Sequence, residues 1–225
     1  GRRTLCVTLP IHQVQAQVDR AGEHVRRLTE RYSNAEAAHA DLTAAYDAFA
    51  GSFAPSLVQG AGKGVADLAG ANARSRLRMT ALYYFAGLNN LLVVGTGNKI
   101  EDFGVGFFTK YGDGGVDISP IADLTKTEVY ELGRWLGVPE AILAAPPTDG
   151  LFGDDRTDEQ QIGATYPELE RAMAHAERGT DPALLSGRER EVYDIFLRRN
   201  RANRHKMEPI PVCRIPRHLV EPAGR

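Results

Sequence analysis

The sequence has little cysteine, no excess of one charge and no long apolar run. Cys6 and Cys213 lie near opposite ends of the chain, without a CxxC pair or histidines at metal-ligand spacing. We therefore expect the reducing environment of the cytoplasm. No apolar run approaches the length of a membrane span, and Arg2 and Arg3 precede a strand-like segment instead of a signal-peptide core. We expect a soluble protein that is not exported and has no membrane partner.

Charge and size narrow the possible functions further. The 27 basic and 29 acidic side chains are well mixed and give a formal net charge of -2. A nucleic-acid binder relies on a sustained positive field, so we expect no nucleic-acid partner. With 225 residues and 43% hydrophobic content, the chain can bury one core. We expect a single domain over residues 1–225, in which the proline-punctuated segment 208–225 forms an extended tail.

Strand and helix patterns alternate along the chain. The run 4-TLCVTL-9 predicts a buried strand, and residues 13–32 place apolar side chains at helical spacing. A second helical stretch, Val65 to Asn89, precedes a predicted strand at 91-LLVVG-95. Capping-box spacing predicts three further helices, the first ending at Gly137; the pairs are Thr125/Glu128, Thr157/Gln160 and Ser186/Glu189. The alternation predicts an α/β fold with an open, mostly parallel sheet and helices on both faces.

A glycine-rich, charged segment follows the predicted strand at 91–95. In an open parallel sheet, ligands bind at the carboxyl ends of strands, where Gly95 and Thr96 would present backbone N–H groups and a hydroxyl to a nucleotide. Glu101, a little further on, has the carboxylate that a hard cation such as Mg²⁺ prefers. Spacing alone favours a simpler interpretation, in which Thr96 and Glu101 form a helix N-cap pair or a solvated helix end.

The order of motifs from Gly95 to Val129 resembles the NAD synthetase family. Members of that family show a Gly-Thr strand end, a following Glu and then Phe-Phe-Thr-Lys, Gly-Asp-Gly-Gly, Asp and Leu-x-Lys, all of which occur here in that order. The resemblance extends to residues 72–86, 146–151, 157–163, 166–170 and 205–206, and so covers nearly the whole chain. It implies the Rossmann-like fold of the adenine nucleotide α-hydrolases, a branch of the ATP pyrophosphatases, and a homodimer.

The activity that the resemblance implies is the amidation of deamido-NAD (nicotinate adenine dinucleotide) to NAD. Members of the family use ATP, Mg²⁺ and ammonia. AMP is transferred to the nicotinate carboxylate with release of pyrophosphate, and ammonia then attacks the acyl-adenylate. Glutamine-hydrolysing members carry a large additional amidohydrolase domain, which these 225 residues do not contain, so we expect free ammonia as the nitrogen donor.

The resemblance also implies roles for individual residues, although it assigns no catalytic residue. ATP is expected to contact Thr96, Lys126 and Thr148, Mg²⁺ to bind Glu101, and deamido-NAD to bind Arg76, Lys110, Asp117, His205 and Lys206. Simpler interpretations stay open. Lys110 and Lys126 could be ordinary solvated charges, and Arg76 could lie on an exposed helix face. His205 and Lys206 could simply complement the dipole at a helix C-terminus.

Two local features bear on the ATP residues. Lys126 lies in the first turn of a predicted helix, where a cation opposes the helix dipole and a bound phosphate would offset the penalty. The stiff segment 146-PPTDG-150 suits a loop that closes over ligand and brings Thr148 to phosphate. Its composition equally suits an inert connector.

One feature of the family does not occur in the sequence. Members open with a strand that ends in a Ser-Gly-Gly-x-Asp-Ser loop around the ATP phosphates, and no such string is present. The chain begins with a match to the second strand of the family fold. We expect that the first strand and the pyrophosphatase loop lie upstream of Gly1, in preference to having been lost, and that these residues alone form a weak or inactive catalyst. Two alternatives stay open: an enzyme that amidates another carboxylate, and a noncatalytic nucleotide-binding homologue.

The helix predicted from Val65 to Asn89 has apolar residues around more than one face, including Met79, Tyr84 and Phe85. A surface helix needs only one apolar stripe, so part of this helix should be buried by something beyond its own sheet. A partner subunit is the expected cover. The alternative is a helix enclosed within one domain.

Overall fold

The chain begins with a β–α–β unit. The computed structural model describes residues 1–58, 60, 62–148, 150–152 and 156–220. Strand β1 (Thr4–Thr8) and strand β2 (Ala35–His39) are joined by helix α1 (Gln15–Arg31) and pair in parallel, with Thr4 opposite Ala35. A parallel pair needs such a crossover connection. The predicted first strand and the helix after it are present, but the strand is only partly buried, since Thr4 is exposed and the next four residues are half-buried.

Most of the remaining described chain is helical. The α-helices are α2 (Thr43–Gly51), α3 (Pro55–Val58), α4 (Lys63–Asn89), α5 (Lys126–Leu136), α6 (Glu140–Leu143), α7 (Asp158–Ile162), α8 (Tyr166–Glu177) and α9 (Gly187–Met207). A π-helix spans Lys99–Val105, and short 3-10 helices span Pro182–Leu184 and Arg217–Leu219. The α/β class with parallel strands is confirmed, and α4 matches the long helix predicted from Val65 to Asn89.

The predicted strand at 91–95 is less regular than its apolar run indicates. Its backbone forms one parallel bridge, between Val94 and Ile118, with the Gly95 amide donating to the Ile118 carbonyl at 2.7 Å. The Val93 amide instead donates to the Asp117 carboxylate at 2.8 Å. Because the Val93 amide is hydrogen bonded to a side chain, it is not available for backbone pairing, and the strand pairing does not extend beyond this bridge. The parallel direction agrees with the prediction, and the length of the strand does not.

The helix ends test the capping predictions. Thr125 and Glu128 form a reciprocal capping box at the start of α5, and Gly137 ends that helix in the left-handed conformation with φ 74°. Thr157 and Gln160 cap α7 in the same way. The capping box predicted for α9 is wrong, although the helix is present: the Ser186 side chain makes no capping hydrogen bond. The Glu189 carboxylate lies 3.0 Å from Nε2 of His175 instead.

The main apolar cluster joins the π-helix to α8 and α9. Its buried members include Ile100, Val105, Ile162, Leu169, Val192 and Phe196. This packing fixes the π-helix that carries Glu101 against the helix that carries Tyr166. After α9, residues 208–217 are exposed, and the last five residues of the predicted tail lie outside the described part of the chain. In the described part, no helix combines the length and apolarity needed to cross a membrane.

Candidate active site

A cavity of about 610 Å³ lies beside α4 and the Gly95–Thr96 turn. Segment 106–116 and α9 form other parts of its wall. Of the nine predicted site residues, Thr96 and Lys206 line this cavity. The other seven are not among the described residues that line it.

The turn at 95–98 sets the start of the π-helix. Asn98 is buried, and its Oδ1 accepts hydrogen bonds from the amides of Ile100 and Glu101, each at 3.0 Å. The helix cap that spacing alone suggested for Thr96 and Glu101 is therefore formed by Asn98. Gly97 is required here because a β-carbon at this position would overlap the Asp102 carboxylate. The turn leaves Thr96 exposed at the cavity.

Glu101 and Lys126 form a close, partly buried ion pair. Lys126 Nζ lies 2.6 Å from Glu101 Oε1, and the two side chains are 19% and 16% exposed. Lys126 Nζ also lies 4.9 Å from the ring centroid of Tyr166, within cation–π range. The structure thus joins a residue predicted to bind ATP to the residue predicted to bind the metal. Lys126 is paired, and the interpretation of it as a solvated charge does not hold.

Tyr166 completes this cluster, although no role was predicted for it. Its hydroxyl lies 2.7 Å from Glu101 Oε1 and 3.1 Å from Oδ2 of Asp158, and its ring is buried. Burial raises the pKa of the Tyr166 hydroxyl, and the two carboxylates raise it further. The hydroxyl is therefore a neutral donor shared by two acidic side chains. Tyr166 belongs to the family-like segment 166–170, which was the available indication of its importance.

Asp102 is a second residue that the sequence did not single out. Burial, followed by the charges of Asp113 and Glu101, raises the pKa of the Asp102 carboxyl to about 7. Its carboxylate packs against Gly97, directly beside the turn that carries Thr96. The glycine at 97 and the acid at 102 are both visible in the sequence, but their contact depends on the π-helical geometry between them.

Four of the residues predicted to bind the dinucleotide lie together. Arg76 Nε donates to the Lys110 carbonyl at 3.2 Å, and Lys110 Nζ donates to the His205 carbonyl. Lys206 Nζ donates to the carbonyls of Gly106 and Phe108 at 2.9 and 2.8 Å. These contacts join segment 106–110 to α4 on one side and to the end of α9 on the other. Burial lowers the pKa of the Lys206 ammonium.

Asp117 and Thr148 have hydrogen-bond partners of their own among the described residues. Asp117 accepts from the Val93 amide and, at 3.1 Å, from the Tyr83 hydroxyl. The Thr148 hydroxyl donates to the Arg156 carbonyl at 3.0 Å and accepts from the Gly150 amide at 3.1 Å. Within the described chain, neither side chain is hydrogen bonded to another predicted site residue. Residue 149 of the predicted 146–150 loop lies outside the described residues.

Comparison with known sequences links this arrangement to one family. A family model described as NAD synthase matches residues 1–210. The NH(3)-dependent NAD(+) synthetase of Carboxydothermus hydrogenoformans is 45% identical over 139 residues, which cover 62% of this chain and 52% of that protein. Its counterpart from Archaeoglobus fulgidus is 43% identical over 155 residues, 69% of this chain and 59% of that protein. The chain thus spans little more than half the length of these relatives.

Solved structures give the same result. The structure of NMN synthetase from Francisella tularensis has a TM-score of 0.77 at 29% identity and covers 95% of this chain and 79% of that chain. NAD+ synthetase from Burkholderia pseudomallei has a TM-score of 0.61 at 30% identity, with coverage of 91% and 69%. The family match extends over nearly the whole chain, including the turn at 95–98 and the Glu101–Lys126 pair. The chain therefore belongs to the NAD synthase family.

Proposed function

We propose that the protein converts deamido-NAD to NAD with ATP and ammonia. The observation that carries this proposal is the Glu101–Lys126 pair at 2.6 Å, which joins the π-helix after the Gly95–Thr96 turn to the first residue of α5. A carboxylate and an ammonium at this point suit a cation and a phosphate, which are the two charges that ATP brings. The adjoining cavity of about 610 Å³ is within the usual size of small-molecule sites.

The reaction needs activation because a carboxylate is a poor electrophile. An oxygen of the nicotinate carboxylate attacks the α-phosphorus of ATP, and pyrophosphate leaves with the electron pair of the broken P–O bond. Ammonia then attacks the acyl carbon, loses a proton and expels AMP. The protein must hold the two substrates together, offset the triphosphate charge and exclude water from the mixed anhydride.

The roles proposed for the ATP side follow from position. Thr96 offers a hydroxyl at the cavity wall, and Lys126 offers an ammonium at the N-terminus of α5, where backbone N–H groups also favour an anion. Thr148 is proposed to reach phosphate only after a movement of its loop. Its hydroxyl now holds that loop through the Arg156 carbonyl and the Gly150 amide.

Glu101 is proposed as the protein ligand of Mg²⁺, which would supply positive charge to the phosphates when bound. The residues fit this ion, because Mg²⁺ prefers carboxylate oxygen and commonly takes its remaining ligands from phosphate and water. Across the described residues, no group of three or more His, Cys, Asp or Glu side chains is arranged to hold a metal. A Mg²⁺ site in which phosphate and water oxygens supply most of the ligands agrees with that observation.

The dinucleotide side is proposed to comprise Arg76, Lys110, Asp117, His205 and Lys206, of which Asp117 is hydrogen bonded to Val93 and Tyr83 and not to the other four. These four are already joined through backbone carbonyls between α4, segment 106–110 and the end of α9. Three of them are basic side chains, which suit a substrate that contains a diphosphate. His205 contributes an exposed ring beside Lys206.

A second candidate reaction is amidation of the carboxylate of a mononucleotide. It is favoured by the TM-score of 0.77 with the structure described as NMN synthetase. The chemistry at the carboxylate would be the same, and only the length of the substrate groove would differ. Nicotinate mononucleotide would then replace deamido-NAD as the substrate.

The test uses the protein with whatever sequence precedes Gly1 in its gene. Purified protein is incubated with ATP, MgCl₂ and ammonium chloride and with either deamido-NAD or nicotinate mononucleotide, and amide product, AMP and pyrophosphate are quantified by chromatography. We expect NAD, AMP and pyrophosphate in equal amounts. Product only from the mononucleotide would favour the second reaction. Nucleotide binding without any AMP would identify a noncatalytic homologue and contradict both reactions.

The assembly and the location are also proposals. Tyr84, Leu88 and Leu92 are 66%, 67% and 63% exposed, although all three are large and apolar. We propose that a second copy covers this surface in a homodimer, because a two-fold contact buries the same apolar patch twice. The cytoplasmic location and the single domain stay predictions of the sequence.

A further inference from the structure

Arg78 is a cavity residue to which neither the motifs nor the family resemblance gave a role. It lies on α4 and lines the cavity together with Thr96. Its Nε donates to the Leu9 carbonyl at 2.8 Å, and its Nη2 donates to Gln13 Oε1 at 3.0 Å. Both partners are neutral. Among the described residues, no carboxylate forms an ion pair with Arg78.

Among the described residues that line the cavity, positive charge is in excess. Arg78, Arg199 and Lys206 belong to this described lining, and Asp113 is the one carboxylate in it. Asp113 is already engaged, since its Oδ1 accepts from Ser75 Oγ at 2.7 Å and from the Thr109 amide at 3.0 Å. Burial lowers the pKa of Arg78, and the neighbouring charge of Arg74 lowers it further. A partly buried cation without a counterion is costly, so this wall favours an anion.

Arg78 differs from the other two cations in its place in the fold. Arg199 donates to the carbonyls of Gln161 and Ile162 at the end of α7, and Lys206 donates to two carbonyls of segment 106–110. Arg78 reaches Leu9, the residue immediately after β1, and so lies at the carboxyl end of a parallel strand. Ligand phosphates collect at such ends, and a guanidinium offers several N–H donors in a geometry that matches phosphate oxygens.

We propose that Arg78 binds a phosphate group of the nucleotide that occupies this cavity, beside the Thr96 hydroxyl. The inference rests on the proposed function, because a nucleotide is the anion that this function supplies. Its contacts to Leu9 and Gln13 orient the guanidinium and leave the remaining N–H groups for the ligand. Two nucleotides provide the same chemistry, ATP and deamido-NAD, and the experiment separates them.

The experiment compares four variants with the wild-type protein by titration calorimetry. Arg78→Gln removes the charge, and Arg78→Lys keeps a charge but loses the planar fork. Gln13→Ala removes one of the contacts that hold Arg78 and leaves its guanidinium in place. Arg171→Gln, on the exposed surface of α8 and outside the cavity lining, is the control for loss of one positive charge. The probes are ATP, deamido-NAD and inorganic tripolyphosphate, and circular dichroism checks folding.

We expect Arg78→Gln to weaken binding at least tenfold, about 1.4 kcal/mol, and Arg78→Lys to weaken it by a smaller factor. Gln13→Ala, which loosens the guanidinium but keeps its charge, should weaken binding by a smaller factor than Arg78→Gln, whereas Arg171→Gln should bind within about twofold of wild type. Weaker binding of ATP and tripolyphosphate places Arg78 on the ATP phosphates, whereas weaker binding of deamido-NAD alone places it on the dinucleotide; either result supports the proposal.

The opposite results are equally defined. Wild-type affinity for all three probes in folded Arg78→Gln, or an equal loss in the surface control Arg171→Gln, would overturn the proposal. If Arg78→Gln does not fold, Arg78→Lys decides, and its unchanged affinity would overturn it. If the wild-type protein forms NAD normally and the Arg78 variants bind all three probes with wild-type affinity, this inference is refuted and the proposed function is not. Wild-type protein that binds none of the probes and forms no amide refutes the proposed function, and this inference with it.

Discussion

Tyr166→Phe tests the cluster around Glu101 directly. The substitution keeps the buried ring, and therefore keeps both the packing in the apolar cluster and the cation–π contact with Lys126. It deletes the hydroxyl that lies 2.7 Å from Glu101 and 3.1 Å from Asp158. The substitution therefore removes the hydrogen bonding of the hydroxyl to the two carboxylates without removing the ring. The change in stability then reports on that hydrogen bonding and not on a packing defect.

The magnitude follows from the charge of the acceptors. A hydrogen bond to a charged group contributes about 1.5–3 kcal/mol, against about 1 kcal/mol for a neutral pair. Glu101 keeps Lys126 as a partner, which limits the loss on that side. We therefore expect Tyr166→Phe to lower the free energy of unfolding by about 2 kcal/mol at pH 7.

Tyr193→Phe provides a matched control. Tyr193 belongs to the same apolar cluster and is similarly buried, but its hydroxyl lies 3.3 Å from the neutral Thr180 carbonyl. Its loss should cost about 1 kcal/mol or less. Urea unfolding in magnesium-free buffer measures both values. Equal destabilisation by the two substitutions would refute the reasoning, as would a higher stability of Tyr166→Phe.

Four further predictions concern charge and assembly. Glu101→Gln keeps the side-chain volume but removes the charge that a hard cation needs, so adenylate formation should require more Mg²⁺, and an unchanged Mg²⁺ dependence would exclude Glu101 as the ligand. Lys110→Ala should weaken deamido-NAD binding at least tenfold, about 1.4 kcal/mol, in calorimetry, and unchanged affinity would remove Lys110 from the site. The Arg188 side chain and the Thr165 amide lower the pKa of Glu168 to about 2 from 4.5, so this contribution to stability is present above about pH 5 and is lost as the pH falls toward 2. Because Arg188 is half exposed, we expect only about 1 kcal/mol, measured as a difference between wild type and Glu168→Gln that disappears in acid; a constant difference would contradict it. Light scattering over a dilution series should show a dimer that Tyr84→Glu dissociates, and a wild-type monomer at micromolar concentration would refute the proposed interface.

Local features of this fold could be predicted from the sequence, and contacts between distant segments could not. The capping boxes of α5 and α7 depend on residues three apart, so their spacing was sufficient. The Ser186/Glu189 pair has the same spacing, but the Glu189 carboxylate contacts His175 on another helix, and the Ser186 side chain makes no capping hydrogen bond. A local pattern is thus reliable until a partner from elsewhere competes for the same side chain.

The predicted strand at 91–95 also shows that a local pattern does not determine the partners of a segment. A continuous apolar run predicts a strand but does not specify what pairs with each amide. Here the Asp117 carboxylate binds the Val93 amide, and the regular pairing is reduced to one bridge. The motif order drew attention to Thr96, which lies at the cavity wall, whereas the contact of Tyr166 with Glu101 spans 65 positions of sequence. Only the folded chain brings that pair together.

The Glu101–Lys126 pair also explains how metal and phosphate binding can depend on each other. Lys126 opposes the dipole of α5 at its first residue, and the Glu101 carboxylate at 2.6 Å now offsets that penalty. A cation that takes the Glu101 carboxylate removes the counterion of Lys126 and leaves the ammonium favourably placed for phosphate. A phosphate bound at Lys126 likewise releases Glu101 for the cation. Each ligand therefore removes the competitor of the other, and by linkage the affinity of ATP should rise with Mg²⁺ by the same factor as that of Mg²⁺ with ATP.

Lys126→Met should abolish most of this coupling at the site, beyond what the Mg²⁺–ATP complex shows in solution, and calorimetry at varied Mg²⁺ measures it. Undiminished coupling in that variant would show that the pair does not link the two ligands.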